Sequence, residues 1–216
     1  MDSSHALPIA GIKQVVVQSH EGFPQQAVRM ARLLNSLIGF RDQYTSSHSA
    51  RVAKYVRAIA TQLCLADEEM ETAVLAASLH DIGKTGIPDH ILLKPGKLSD
   101  EEFGWIQKYP EWGWDTLRQV EGLEQAADLV LHQHEHIDGS GYPQQLRGEA
   151  IPLGSRIIAV ADSFDALTMD RPYHPALSHA AALAELARCS GTQFDADVVN
   201  AFRVLLEHQT VESELS

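Results

Sequence analysis

Apolar residues along this chain recur at helical spacing almost throughout. Val52, Val56, Ile59 and Leu63 follow one another at intervals of three and four, as do Leu117, Val120 and Leu123, and Ile157, Val160, Phe164 and Leu167. That spacing puts each set on one face of a helix, whereas the two-residue alternation of a half-buried strand is nearly absent. The pattern predicts an all-α chain with helices over 24–41, 47–63, 67–80, 99–108, 110–119, 123–135, 153–169, 178–190 and 195–208. Ser99 with Glu102 three positions on has the form of a capping box, and Pro110 suits a first helical position. Residues 1–23, with Pro8, Gly11 and Gly22 around the β-branched run 15–17, read as an extension or linker, leaving 24–212 as one domain. Proline and glycine gather at 83–96 and 138–152, between predicted helices. Loops held by a rigid scaffold are where binding and catalytic groups concentrate.

Composition narrows the possible partners. The chain has 216 residues, 44% of them hydrophobic, enough to bury a core. Its 17 Lys+Arg against 29 Asp+Glu give a net charge of −12, which argues against gripping a nucleic-acid polymer or adsorbing to an anionic membrane. A phosphate-bearing ligand must then be held by local cations or a metal. Cys64 and Cys189 lack the CxxC spacing, which fits a reducing compartment and excludes a disulfide scaffold or thiolate zinc finger. Apolar runs such as 157–161 are far short of the ~20 residues that span a bilayer. With no basic segment leading into an apolar stretch at the N-terminus, a cytoplasmic protein is the expectation.

The 11 histidines carry the chemistry. His80 and Asp81 stand together at a predicted helix end, and imidazole and carboxylate are suitable ligands for a divalent transition metal. Alone, the pair reads equally as a histidine favoured by the helix macrodipole beside an aspartate that stops the helix. His48 opens the preceding helix, and Asp162 interrupts the apolar helix 157–161. An ionised carboxylate there is costly unless bound to metal or paired, with Arg156 or Arg51 as candidate partners. His132, His134 and His136 fall within five residues, His132 and His136 on one predicted helix face and His134 on another. Trp105, Trp112 and Trp114 cluster beside Tyr109 as core or interface residues, with stacking on a base the alternative for the last two.

Long strings extend these single residues. They are 41–45 leading to His48 and Ser49, HDIGKTGIPD at 80–89, LKPGKL at 93–98, DGSGYP at 138–143, VADSFDALT at 160–168, DRPY at 170–173 and GTQFD at 191–195. Through them the chain, from Arg41 to Phe202, resembles the HD-GYP domains, the bacterial branch of the HD metal-dependent phosphohydrolases whose usual substrate is cyclic di-GMP. The resemblance implies a helical bundle around two or three metal ions, often iron or manganese. It assigns a first metal to His48, His80, Asp81 and Asp162, with Asp81 bridging toward a second ion. It makes Lys84 the group that neutralises a phosphate oxygen or assists the leaving group. Arg171 becomes the holder of a second phosphate or a guanine edge, His174 a weaker cation where lysine is usual, and Tyr142 a wall or a handle for a diguanylate-cyclase-type or response-regulator partner.

Departures from the pattern fall on the second metal. Tyr109 stands where the family has a histidine before Pro-x-x-Gly, and Gln133 replaces the first histidine of a His-His-Glu string. That site keeps His134 and the shared Asp81, so one well-bound ion is expected and the second is doubtful. Tyr44 stands where members with three metals carry a carboxylate, which argues against a third. Three readings follow: weakened cyclic di-GMP hydrolysis with a loosely held second ion completed by Tyr109 phenolate, Gln133, His132 or His136; a one-metal phosphohydrolase; and an inactive domain that binds cyclic dinucleotides or proteins in signalling.

Overall fold

The computed structural model of the chain describes residues 23, 25–41, 43–170 and 175–214. They form ten α-helices: α1 (Gln25–Arg41), α2 (Gln43–Gln62), α3 (Asp67–Leu79), α4 (Asp89–Leu92), α5 (Asp100–Ile106), α6 (Tyr109–Leu117), α7 (Glu124–Leu131), α8 (Leu153–Thr168), α9 (His179–Arg188) and α10 (Ala196–Glu214). Tight 3₁₀ turns occupy Ile82–Gly86 and Gly148–Ala150, and an isolated bridge between Ser190 and Phe194 is the one β-type pairing among the described residues. No helix among them is long and apolar enough to cross a membrane.

The central element is α3. Asp67, Glu68 and Glu69 occupy its first turn, where carboxylates meet the positive end of the helix dipole, and Glu69 accepts the Ala66 N–H at 3.3 Å. From Thr72 to Leu79 every residue is buried, because α2, α7 and α8 pack around it. A helix enclosed on all sides shows little amphipathic periodicity, and its run of alanines allows the neighbours to approach closely. Val52, Val56 and Ile59 of α2, Leu75 and Leu79 of α3, and Ile157, Val160 and Phe164 of α8 form one core with Phe202 of α10. Each such side chain contributes about 1.5–3 kcal/mol by leaving water, so the core fixes the three helices that deliver the site residues. The C-terminus of α3 opens into the middle of the molecule and carries His80 and Asp81 there.

A smaller core of Ile87, Ile91 and Tyr109, packed by Leu98, Ile106 and Trp112, lies under the loop 83–98. Here the chain doubles back over α6 so closely that a Cβ at Gly83 would overlap the Tyr109 carbonyl oxygen and lie 2.7 Å from the Gly113 nitrogen. The short α4 falls inside the segment expected to be loop. The Ser99 capping box forms as its spacing predicts: Ser99 Oγ accepts the Glu102 N–H at 3.2 Å, and Glu102 accepts the Ser99 N–H at 2.7 Å.

Three helix boundaries differ from the spacing by four residues or more, the last helix running to Glu214 rather than 208. The second helix starts at Gln43 rather than 47, one residue after α1 ends. The seventh ends at Leu131, not 135, and beyond it burial alternates, with Leu131, Gln133 and Glu135 inside and His132, His134 and His136 half-buried. The three histidines therefore occupy no helix face. Gln133 Nε2 donates to the His80 carbonyl at 2.8 Å, and Glu135 accepts the N–H groups of Gln144 at 2.6 Å and Leu146 at 3.0 Å. Those inward polar contacts need an extended turn, and they win over continued helix. Except for Phe23, the expected extension 1–23 lies outside the described residues.

Candidate metal centre

His80, 1% exposed, ends α3. Its Nδ1 lies 2.7 Å from the Ala77 carbonyl oxygen. A carbonyl only accepts, so Nδ1 carries the proton and Nε2 presents a lone pair. That Nε2 is buried without a hydrogen-bond partner, 3.3 Å from Asp81 Oδ1 and 3.9 Å from Asp162 Oδ1. A buried imidazole lone pair facing two carboxylate oxygens is left without a donor of its own, an arrangement that a metal ion among the three would satisfy. His48 of α2 approaches from the other side, its Nε2 3.0 Å from Asp162 Oδ1 and its ring edge-on to His80 at 5.2 Å. One ligand atom each from His48, His80 and Asp162 lies within 4.8 Å of the other two. Imidazole nitrogens and a carboxylate oxygen in this arrangement fit a divalent transition metal.

Asp165, one turn after Asp162 on α8 and fully buried, completes the support. It accepts from His48 Nδ1 at 2.6 Å and from Arg51 Nε and Nη2 at 2.6 and 2.9 Å. A carboxylate behind the imidazole fixes the tautomer that leaves Nε2 for a ligand. Arg51 is thus held on Asp165, and Arg156 is held on Asp195 at 2.5 Å, rather than either serving as the salt-bridge partner considered for Asp162.

Charges in this cluster shift one another. Burial opposes charge on His48, but the Asp162 and Asp165 carboxylates outweigh it and push the imidazole up to about 9 in the metal-free arrangement. Burial raises Asp162, but His48, His80 and Lys84 hold it well below the usual carboxylate range. Asp165 is held below that range by His48 and Arg51 against its burial, and Asp81 by His80 and Lys84 against its own.

Asp81 lies beside the three-ligand cluster, its Oδ1 3.3 Å from His80 Nε2 and, like that nitrogen, buried without a hydrogen-bond partner, its contact with Lys84 being an ion pair. Lys84, three residues on in the 3₁₀ turn, places Nζ 2.8 Å from both of its oxygens. The same ammonium stands 5.2 Å from the centre of the Tyr109 ring, so Lys84 lies at the edge of the centre between Asp81 and Tyr109.

His134 is not brought to the cluster. Its Nε2 is hydrogen-bonded by the Tyr109 hydroxyl. Burial lowers His134 to about 4 and pushes the Tyr109 hydroxyl well above its ordinary value, with the Asp81 charge adding to the latter. The phenol therefore keeps its proton and the imidazole is neutral, the opposite of a phenolate ligand. Gln133 turns its amide nitrogen to the His80 carbonyl and leaves a buried, unpartnered Oε1. His132 and His136 bond to Gln144 and Ser140 of the following loop, and neither belongs to the cluster.

The Tyr142 ring stacks on His134 at 5.1 Å and 17°. Burial and the charges of Asp162 and Asp81 raise its hydroxyl to about 12. The Tyr142 N–H donates to the His134 carbonyl at 3.1 Å, and a Cβ at Gly141 would lie 2.6 Å from Glu135 Cα, which is why a glycine precedes the tyrosine. Glu135 holds the far side of this loop through the contacts given above. Sequence spacing gives no sign of that role, because a lone glutamate among histidines looks solvated. Arg171 and His174 lie outside the described residues.

The HD domain family model matches residues 32–198. A cyclic di-GMP phosphodiesterase of Vibrio cholerae is 43% identical over 189 residues, covering 81% of this chain and 38% of the relative. The cyclic di-GMP phosphodiesterase response regulator RpfG of Xanthomonas campestris is 41% identical over 191 residues, covering 88% of this chain and 50% of the relative. The chain thus spans half or less of these relatives' length. Among solved structures, a cyclic GMP-AMP-specific phosphodiesterase of V. cholerae superposes with a TM-score of 0.58 at 26% identity, covering 74% of this chain and 44% of the other.

Proposed function

Because this chain belongs to the HD domain family, and by its motifs to the HD-GYP branch, we propose that it is a metal-dependent phosphodiesterase of cyclic dinucleotides, cyclic di-GMP foremost. The observation that carries this reading is the buried, unpartnered Nε2 of His80 converging with His48 and Asp162. In this reading His48, His80 and Asp162 hold one divalent ion, iron or manganese. When bound, such an ion supplies the Lewis acidity that polarises a phosphodiester and makes water a competent nucleophile near neutral pH.

The chain's own residues do the rest. Asp81 orients Lys84, and Lys84 neutralises a phosphate oxygen as charge builds during cleavage. Asp165 and the Ala77 carbonyl hold the two imidazoles in the tautomers a ligand needs. Tyr142 walls the pocket, and Arg171 and His174 supply cations for the second phosphate. Activity is weaker than that of a two-metal enzyme, because the Tyr109 hydroxyl occupies the one nitrogen, His134 Nε2, that would recruit a second ion. The same contact also favours a second reading, an inactive domain that binds cyclic dinucleotides. Control by a receiver-type or cyclase-type partner at the 138–143 loop belongs to this proposal, as does a place in the cytoplasm, which rests on the free thiols of Cys64 and Cys189.

Metal content of the purified protein, measured beside turnover of cyclic di-GMP and of a simple phosphodiester, tests the proposal. About one ion per chain is expected, with hydrolysis abolished by His80→Ala or Asp162→Ala. Activity that survives both substitutions sinks the metal mechanism. Metal binding without turnover selects the second reading.

A further inference from the structure

We propose that Phe103, together with the outer edge of Tyr142, is the surface on which a purine base of the cyclic dinucleotide stacks; the inference rests on the phosphodiesterase reading above and deepens it. Phe103 lies on α5, a helix in which no residue is fully buried. The helix is nevertheless firmly placed, by the Ser99 capping box and by Lys94, whose ammonium is 2.6 Å from Glu102. Phe103 is 45% exposed, and the side chains that pack the small core beneath are Leu92, Leu98, Ile106 and Trp112. Its neighbour on the same helix, Trp105, is 40% exposed and faces Trp112 at 6.0 Å and the Lys108 ammonium at 5.5 Å, away from the metal centre's aromatic groups.

The Phe103 ring instead meets Tyr142, edge-on at 83° and 6.5 Å. Tyr142 in turn lies flat on His134, and His134 on the Tyr109 hydroxyl beside Lys84. A continuous strip of planar groups therefore runs from the phosphate edge of the metal centre to a half-exposed phenyl ring at the surface. A nucleotide has the same layout, a phosphate at one end and a planar base at the other. Stacking on an aromatic ring takes any base by its π-face, so Phe103 supplies affinity for guanine and adenine alike, and discrimination between them lies elsewhere. Of the acidic residues in the first turn of α5, Asp100, Glu101 and Glu102, the last is ion-paired with Lys94.

The test is equilibrium binding of the phosphorothioate analogue of cyclic di-GMP, which resists cleavage, to the manganese-loaded full chain, with turnover of cyclic di-GMP measured alongside. Phe103→Leu keeps the apolar bulk and loses the π-face, and is expected to weaken binding roughly tenfold and raise KM with little change in kcat. Phe103→Trp is expected to bind at least as tightly as the parent. Unchanged affinity in Phe103→Leu overturns the stacking role while leaving the phosphodiesterase reading in place. Equal loss in both variants also overturns it, since it marks a packing role. If the parent neither binds the analogue nor cleaves the substrate, both readings fall.

Discussion

At the scale of single residues, the centre depends on which nitrogen of each histidine holds a proton. His80 is settled by its own helix, through the Ala77 carbonyl, and His48 by Asp165. Asp165→Asn is expected to weaken metal affinity about 10- to 100-fold, as measured by competition with a chelator; unchanged affinity would show that Asp165 serves Arg51 alone. His48 also sets a pH dependence. In the metal-free chain its imidazole is raised to about 9, so the stability it adds is complete below its ordinary value of 6.5 and disappears as pH rises through about 9. The lowered carboxylates, Asp81, Asp162 and Asp165, act in the opposite sense, adding stability above the usual carboxylate range that is lost on acidification. A metal must displace the His48 proton, so affinity is expected to climb by about one log unit per pH unit up to about 9 and then level. Isothermal titration in buffers of differing ionisation enthalpy counts that proton directly.

At the scale of elements, apolar spacing finds most helices within a few residues, because the faces of α2 and α8 that carry the pattern are the ones that build the core. It fails after Leu131. Gln133 and Glu135 turn inward to polar partners on His80 and on the 144–146 turn, and a hydrophobic pattern cannot register burial that is satisfied by hydrogen bonds. For the same reason His48, His80, Asp81 and Asp162 are recognisable from the family strings, whereas the capping of His134 by Tyr109 is not, since it depends on how α6 lies against the chain 25 residues later. The fit of α6 under the first 3₁₀ turn is equally hidden in sequence. Gly83→Ala would force the turn off α6, and a loss of about 3 kcal/mol or more is expected in urea denaturation. A change below 1 kcal/mol would mean that this contact yields easily.

At the scale of the whole molecule, the centre joins three helices distant in sequence: α2 through His48, the end of α3 through His80, and α8 through Asp162. A metal that binds only this folded arrangement stabilises the entire bundle. At a hundredfold excess over its Kd the gain is about 2.7 kcal/mol, which for a chain of this size raises Tm by about 5–10 °C. Scanning calorimetry with and without chelator measures the shift, and Asp162→Ala is expected to remove it. The carboxylates around the centre have a further consequence. In the metal-free chain Asp81, Asp162 and Asp165 face an equal number of cations, namely Lys84, Arg51 and the protonated His48, so the cluster is electrically balanced within a protein of net charge −12. Exchange of one proton for a divalent ion leaves it with a single positive excess. If the ligand is the doubly anionic ring proposed above, it meets a local positive charge at the centre only after that exchange, so stripping the metal is expected to slow its association, most at low salt.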